Sequence, residues 1–134
     1  MKNYTFFDGA AAVAGAVCGY LFGELDGLFI ALLSMSVLDY LTGVVVAISK
    51  KKLSSAVGFK GICKKILMFI LVAAANIIDM QILGCTALRS AVLFVFIANE
   101  GISIIENSAE LGIPVPEKLR AVLAQIKSKG EKGE

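Results

Sequence analysis

Uncharged stretches dominate this chain and recur at a length that suits a bilayer. Gly9 to Gly23 carries no charge, and from Gly27 to Ser49 the only charged residue is Asp39. Ile66 to Leu88 holds only Asp79, and Ser90 to Ile105 only Glu100. A hydrocarbon core about 30 Å thick asks of a helix roughly 17–25 mostly apolar residues. The blocks therefore predict four transmembrane helices, at about 7–22, 28–48, 66–83 and 88–105. Glu100 interrupts the fourth, which leaves three spans as an alternative count. Pro114 and Pro116 then stop the helix, because proline removes a backbone donor and restricts the residue before it. Beyond them Leu119, Val122, Leu123 and Ile126 recur at helical spacing, and Ser128 to Glu134 is charged and expected to be disordered. The expected fold is an all-α integral membrane protein. Residues 1–116 form the multi-span domain, and 117–134 a short cytoplasmic amphipathic helix and tail.

Composition supports the membrane reading and removes others. The chain has 134 residues, 57% hydrophobic and 18% charged, against about 45–50% and about 25% in soluble domains. A soluble protein of this size would have to arrange four such blocks around one small core. The first block also fails as a signal peptide. Lys2 is its only basic side chain, Asp8 intervenes, and Val17 stands where a lipoprotein signal wants a small residue before Cys18. It is expected to remain as a mature helix. Histidine is absent, and Cys18, Cys63 and Cys85 lie far apart. That spacing gives neither a metal cluster nor a disulfide framework, so the cysteines read as small apolar residues. No Ser/His or Cys/His constellation exists, and Lys50 to Lys65 lacks the glycine–lysine spacing of a phosphate-binding loop. The expectation is a protein that is not an enzyme and needs no cofactor, metal or nucleic acid.

The net charge of +2 matters less than where the charges sit. Lys50, Lys51, Lys52, Lys60, Lys64 and Lys65 fall between the second and third spans. Lys118, Arg120, Lys127, Lys129 and Lys132 follow the fourth, and Lys2 precedes the first. Twelve of the thirteen basic residues thus share one side, with Arg89 alone on the other. Cytoplasmic segments carry the excess of Lys and Arg, so both termini are expected in the cytoplasm. The basic residues, Lys118 and Arg120 among them, are expected at the membrane surface. There each one near an anionic leaflet contributes on the order of 1 kcal/mol.

Two stripes are candidates for function. Gly15, Gly19 and Gly23 recur every four residues in the first span, with Ala11 one step earlier. Glycine on one helix face lets another backbone approach closely, in the same chain or in a second copy. In the fourth span Asn99, Glu100, Ser103, Glu106, Asn107 and Glu110 fall within an arc of about 120° at 100° per residue. A charged group facing lipid at mid-bilayer costs roughly 2.5–3.5 kcal/mol or more. The stripe must therefore face a helix or water, and the same holds for Asp39 and Asp79. One reading has these acids paired or protonated inside the bundle. The sharper one has them meet across subunits and wall an aqueous opening.

These residues also carry a family resemblance. Asp39-Tyr40-Leu41-Thr42-Gly43, Ser55…Gly58…Gly61, the segment Asn99-Glu100-Gly101-Ile102-Ser103-Ile104-Ile105-Glu106-Asn107, and Gly112…Pro114…Pro116 resemble the toxin-secretion/phage-lysis holin family (phage holin family 4 type). The order and spacing match from about Asp39 to Pro116, and the asparagine–glutamate segment is the most specific piece. The resemblance implies a small phage or prophage protein that accumulates in the host cytoplasmic membrane. It implies that copies then oligomerise abruptly and permeabilise that membrane. An endolysin, or in some members a large toxin, then leaves the cell, with no direct binding implied. The partners so implied are the bilayer and the protein itself. Two other classes fit the pattern less well. A small ion-coupled transporter would surround its membrane carboxylate with aromatic residues, and this chain has no Trp and three Tyr. A non-conducting subunit of a larger complex would use the stripes as docking faces.

Overall fold

A computed structural model describes the chain from Lys2 to Gly133. Met1 and Glu134, the ends of the two expected regions, lie outside the described residues. Among those residues there are five α-helices and no strand: α1 (Lys2–Phe22), α2 (Gly27–Ser49), α3 (Ser55–Ile78), α4 (Ala87–Glu110) and α5 (Glu117–Glu131). A π-helical turn, Asp79–Leu83, extends α3. Four of the helices are long and apolar enough to cross a membrane. Large side chains such as Phe6, Val13, Ile30, Leu41, Ile66 and Ile82 stand exposed around them. Water would not tolerate so much contiguous apolar surface, whereas acyl chains match it.

The helices outrun the apolar blocks that predict them. The third begins at Ser55, not at 66, because Ser54 caps it by accepting from the Val57 amide at 3.2 Å. Lys60, Lys64 and Lys65 therefore lie on a helix and not in a loop. Their charges mask the helical segment from a reading based on hydrophobicity alone. Asp26 caps α2 in the same way, accepting from the Phe29 amide at 3.0 Å.

A small core holds α2, α3 and α4 together near the α1–α2 turn. Leu32, Val72 and Leu93 are fully buried there with Phe29 and Ile97. The rings of Phe22, Phe29 and Phe69 pack edge-on or tilted, with centroids 5.2–6.3 Å apart. Away from that core α2 packs along α4, and α3 lies against α4 and α1. Between α2 and α3 the chain leaves a groove on one side and a cleft on the other. The side chains of α1 are exposed from Thr5 to Tyr20.

The tail departs from expectation. It is helical to Glu131, including the Ser128 segment expected to be disordered, and it folds back along α4. Gly112, at φ +77°, turns the chain with the Ile113 amide bonded to the Ser108 carbonyl. Leu123 then buries against Gly101, where an added Cβ would stand 2.7 Å from its methyl. Gly130 sits as tightly against Ala91, Phe94 and Val95, and Lys129 lies 5.2 Å from the Phe94 ring centroid. Small residues on both helices admit this approach. Lys118 and Arg120 remain exposed on the outward face.

Candidate functional site: a charged cleft at mid-span

Lys65 is the centre of the site. It lies ten residues into α3, about 15 Å from the helix start at 1.5 Å per residue. Asp39 lies ten residues from the end of α2, and Glu100 ten from the end of α4. Those three helix ends are neighbours, so the three side chains meet at one level, about 15 Å from those ends. The Lys65 ammonium forms ion pairs with both the Asp39 and the Glu100 carboxylates. All three side chains are less than one-fifth exposed. With every group charged, two carboxylates face one ammonium and the trio carries −1. Lys65 is therefore no surface residue, contrary to its expected place among the basic residues of the α2–α3 connection.

Polar neighbours complete the trio. The Asn107 amide donates to Thr42 Oγ1 at 2.9 Å and to Asp39 Oδ1 at 3.4 Å. Thr42 in turn donates to the Asp39 carbonyl at 2.9 Å. Tyr40 lies on the glycine face of α3, where a Cβ at Gly58 would meet its hydroxyl at 3.2 Å and one at Gly61 its ring at 3.3 Å. Segments far apart in sequence thus converge around Lys65. The cleft above them, about 670 Å³, is bounded by α2, α3 and α4, with Asn99, Glu100 and Ser103 on its α4 wall and Lys64 opposite.

The polar stripe of α4 accordingly divides. Glu100 and Asn107 turn inward and are bonded within the protomer, whereas Asn99 and Glu106 are exposed and Ser103 is half-buried along the cleft. Near the same end Lys50 pairs with Glu110 at the surface. Lys51, Lys52, Lys60 and Lys64 are exposed.

Asp79 does not join this group. It is 1% exposed at the opposite end of the bundle and caps α4, accepting from the Leu88 amide at 3.2 Å and the Arg89 amide at 2.7 Å. Within the protomer it is a helix cap. Arg89, read from sequence only as the lone basic residue on its side, is 4% exposed. Its guanidinium donates to the carbonyls of Phe22 and Glu24, each at 2.7 Å, and to both oxygens of Asp26, at 2.9 and 3.3 Å. The hydrogen bond from Arg89 holds the Asp26 carboxyl below its ordinary range. Gly23 belongs here too, and not to an outward stripe. At φ +75° it ends α1, and a Cβ would stand 2.8 Å from Asn76 Oδ1 and 3.2 Å from Arg89 Nε. Gly15 and Gly19 do face outward, with nothing within 4 Å of an added Cβ.

Residues 16–128 match the bacteriophage holin family. An uncharacterised protein of Listeria monocytogenes is 43% identical over 90% of this chain and 86% of its own length. An uncharacterised 14.9 kDa protein from the region 3′ of nagH in Clostridium perfringens is 40% identical over 86% of this chain and 88% of its own. A protein named probable holin from Bacillus phage phi105 is 39% identical over 81% of this chain and 80% of its own. No solved structure matches.

Proposed function

Since this chain belongs to the bacteriophage holin family, a membership that points to a non-enzymatic membrane protein, we propose that it assembles in a bacterial cytoplasmic membrane and opens a lesion there. An endolysin, or in a different setting a toxin, would leave through it. The observation that carries this reading is the open cleft at mid-span. Among apolar walls such as Val57, Leu67 and Phe96 it also presents Asn99, Glu100, Ser103 and Lys64, which are unsuited to acyl chains, where each exposed charge costs roughly 2.5–3.5 kcal/mol. A dispersed copy keeps the inner charges paired through Lys65, and assembly gives the cleft water or another copy to face. Induced expression should therefore leave growth normal for a time and then depolarise the cells within a small fraction of that delay. Leakage proportional to dose from the start would indicate a constitutive channel or transporter. Intact membranes at high abundance would indicate an anchoring subunit.

The N-terminus, the α2–α3 connection and the C-terminus are assigned to the cytoplasm on the partition of basic residues. Docking of α5 takes Gly130 level with Ala91. In lipid this would carry Lys127, Lys129 and Lys132 past the bilayer middle, yet α5, about 22 Å long, is too short to cross. The docked helix suits an assembly in which water reaches its charged face. A reporter active only outside the membrane and fused after Glu134 should stay silent before the onset of permeabilisation. A strong early signal would place the C-terminus outside and remove this topology.

A further inference from the structure

We propose that α5 forms the wall of the lesion, with the face it turns away from α4 exposed to the water inside. The inference rests on the lesion proposed above and names the surface that lines it. Docking of α5 is built into both helices. Leu123, 5% exposed, fills the space before Gly101, and Gly130 is buried against Ala91, Phe94 and Val95. An added Cβ would stand 2.7 Å from Leu123 at the first glycine and 2.8 Å from the Ala91 carbonyl at the second. A side chain at either glycine would hold the two helices apart.

These contacts give one antiparallel register. Leu123 lies level with Gly101 and Gly130 with Phe94, which sets Gln125 level with Asn99, Lys127 with Ile97 and Lys129 with Val95. Ile97 and Val95 are ten and eight residues from the start of α4, about 15 and 12 Å. If lipid surrounded α5, Lys127 and Lys129 would stand within the hydrocarbon. Neither makes an ion pair among the described residues, although Lys129 lies against the Phe94 ring. Among acyl chains each would cost roughly 2.5–3.5 kcal/mol. Water removes that cost.

The outward face of α5 decides what covers it. At about 100° per residue Leu123 and Gly130 point almost the same way, and Lys118, Ala121, Gln125 and Lys132 fall within about 50° of the opposite direction. All four are exposed, and none is a large apolar side chain. Elsewhere the outer surface presents Val13, Ile30, Leu41 and Ile66. Those residues suit acyl chains, and the α5 face suits water. From Lys118 to Lys132 that face covers about 21 Å of a core about 30 Å thick. The cleft lies elsewhere, since Asn99 and Ser103 each stand about 160° round α4 from Gly101.

A disulfide lock combined with thiol labelling tests this. In a chain with Cys18, Cys63 and Cys85 replaced by serine, Gly101→Cys and Leu123→Cys place two thiols in the observed contact. Gln125→Cys adds a third on the outward face. Should the first pair prevent depolarisation, Val95→Cys with Gly130→Cys replaces it, since an added Gly130 Cβ stands 2.8 Å from a Val95 methyl. Cells are followed until they depolarise, and their membranes are then isolated, oxidised and treated with a charged maleimide that does not enter lipid. The paired thiols should form a disulfide within one chain. In that locked protein the thiol at position 125 should be labelled several times faster than one introduced by Leu41→Cys, an exposed position on the apolar α2–α3 groove. No disulfide in permeable membranes would mean that α5 leaves α4 in the open state, and would overturn the wall while the function stands. A disulfide with equal labelling at both positions would mean that lipid or another copy covers α5, with the same consequence. Locking and fast labelling in cells that never depolarise would leave α5 facing water and remove the lesion-forming function.

Discussion

Lys65→Met should be among the most damaging single substitutions in this chain, and neutralising its partners should repair it. Lys65 balances Asp39 and Glu100, and all three side chains are less than one-fifth exposed. Removing one partner of a buried charge network typically costs about 3–5 kcal/mol, because the charge left behind is uncompensated. At 1.4 kcal/mol per tenfold, that lowers the inserted, correctly packed population more than a hundredfold. Glu100→Gln should be mild by comparison, since Lys65 then faces Asp39 alone in a neutral one-to-one pair. Asp39→Asn should be only slightly worse, because Asn107 also bonds that carboxylate. Adding both neutralising substitutions to Lys65→Met should restore most of the lost protein. The measurements are membrane abundance after a pulse of expression, and the onset of permeabilisation at matched abundance. Wild-type values for Lys65→Met would show that the trio is solvated and that the cleft owes nothing to its charges.

The contrast between Lys65 and the other lysines shows what the sequence made legible. Charge-free blocks announce α1 to α4 because nothing else in a small protein needs so many apolar residues in succession. Helix ends are fixed differently, by caps and turns. Ser54 starts α3 eleven residues before its apolar block, and a lysine inside that helix therefore looked like a lysine in a loop. The available signal was the coincidence of count: Asp39, Lys65 and Glu100 each stand ten residues from a helix end on one side of the bundle. It becomes visible only when Ser54 is recognised as a cap. The polar arc of α4 was legible as an arc, but not its division into inward Glu100 and Asn107 and outward Asn99 and Glu106. That division depends on where α2 and α5 dock. Docking of α5 left no trace in its own periodicity, because an amphipathic stripe suits a membrane surface and a neighbouring helix equally well. It is Gly101 and Gly130, each in the other helix's contact, that record the choice.

Arg89 was legible only as an exception to a charge rule, and the second large effect is expected there. Its guanidinium satisfies two backbone carbonyls left open where α1 ends, and both oxygens of Asp26 in the turn to α2. A planar fork with five donors can meet those four acceptors at once, and an ammonium with three cannot. Arg89→Lys should therefore retain the charge and lose part of the clamp, leaving a protein that inserts with α1 less firmly directed. Arg89→Met should remove the clamp entirely and leave the Phe22 and Glu24 carbonyls without their donor, at a cost of about 1–3 kcal/mol, while Asp26, about one-third exposed, can turn to water. Gly23 stands against the same guanidinium, and with its positive φ any larger residue there should reproduce part of the defect. The two sites are separable because the Lys65 trio lies at mid-span and the Arg89 clamp at the turn from α1 to α2. Loss at Lys65 should disturb the α2–α3–α4 packing while α1 remains anchored. Loss at Arg89 should free α1 while the Lys65 ion pairs persist. Protease cleavage at a site introduced in the 23–26 turn of protein in intact spheroplasts distinguishes them. Arg89→Met should be cut many times faster than wild type, and Lys65→Met at nearly the wild-type rate relative to its inserted amount. Equal cutting of Arg89→Met and wild type would show that the turn is held by the phenylalanine core alone, and that the buried guanidinium contributes little to fixing α1.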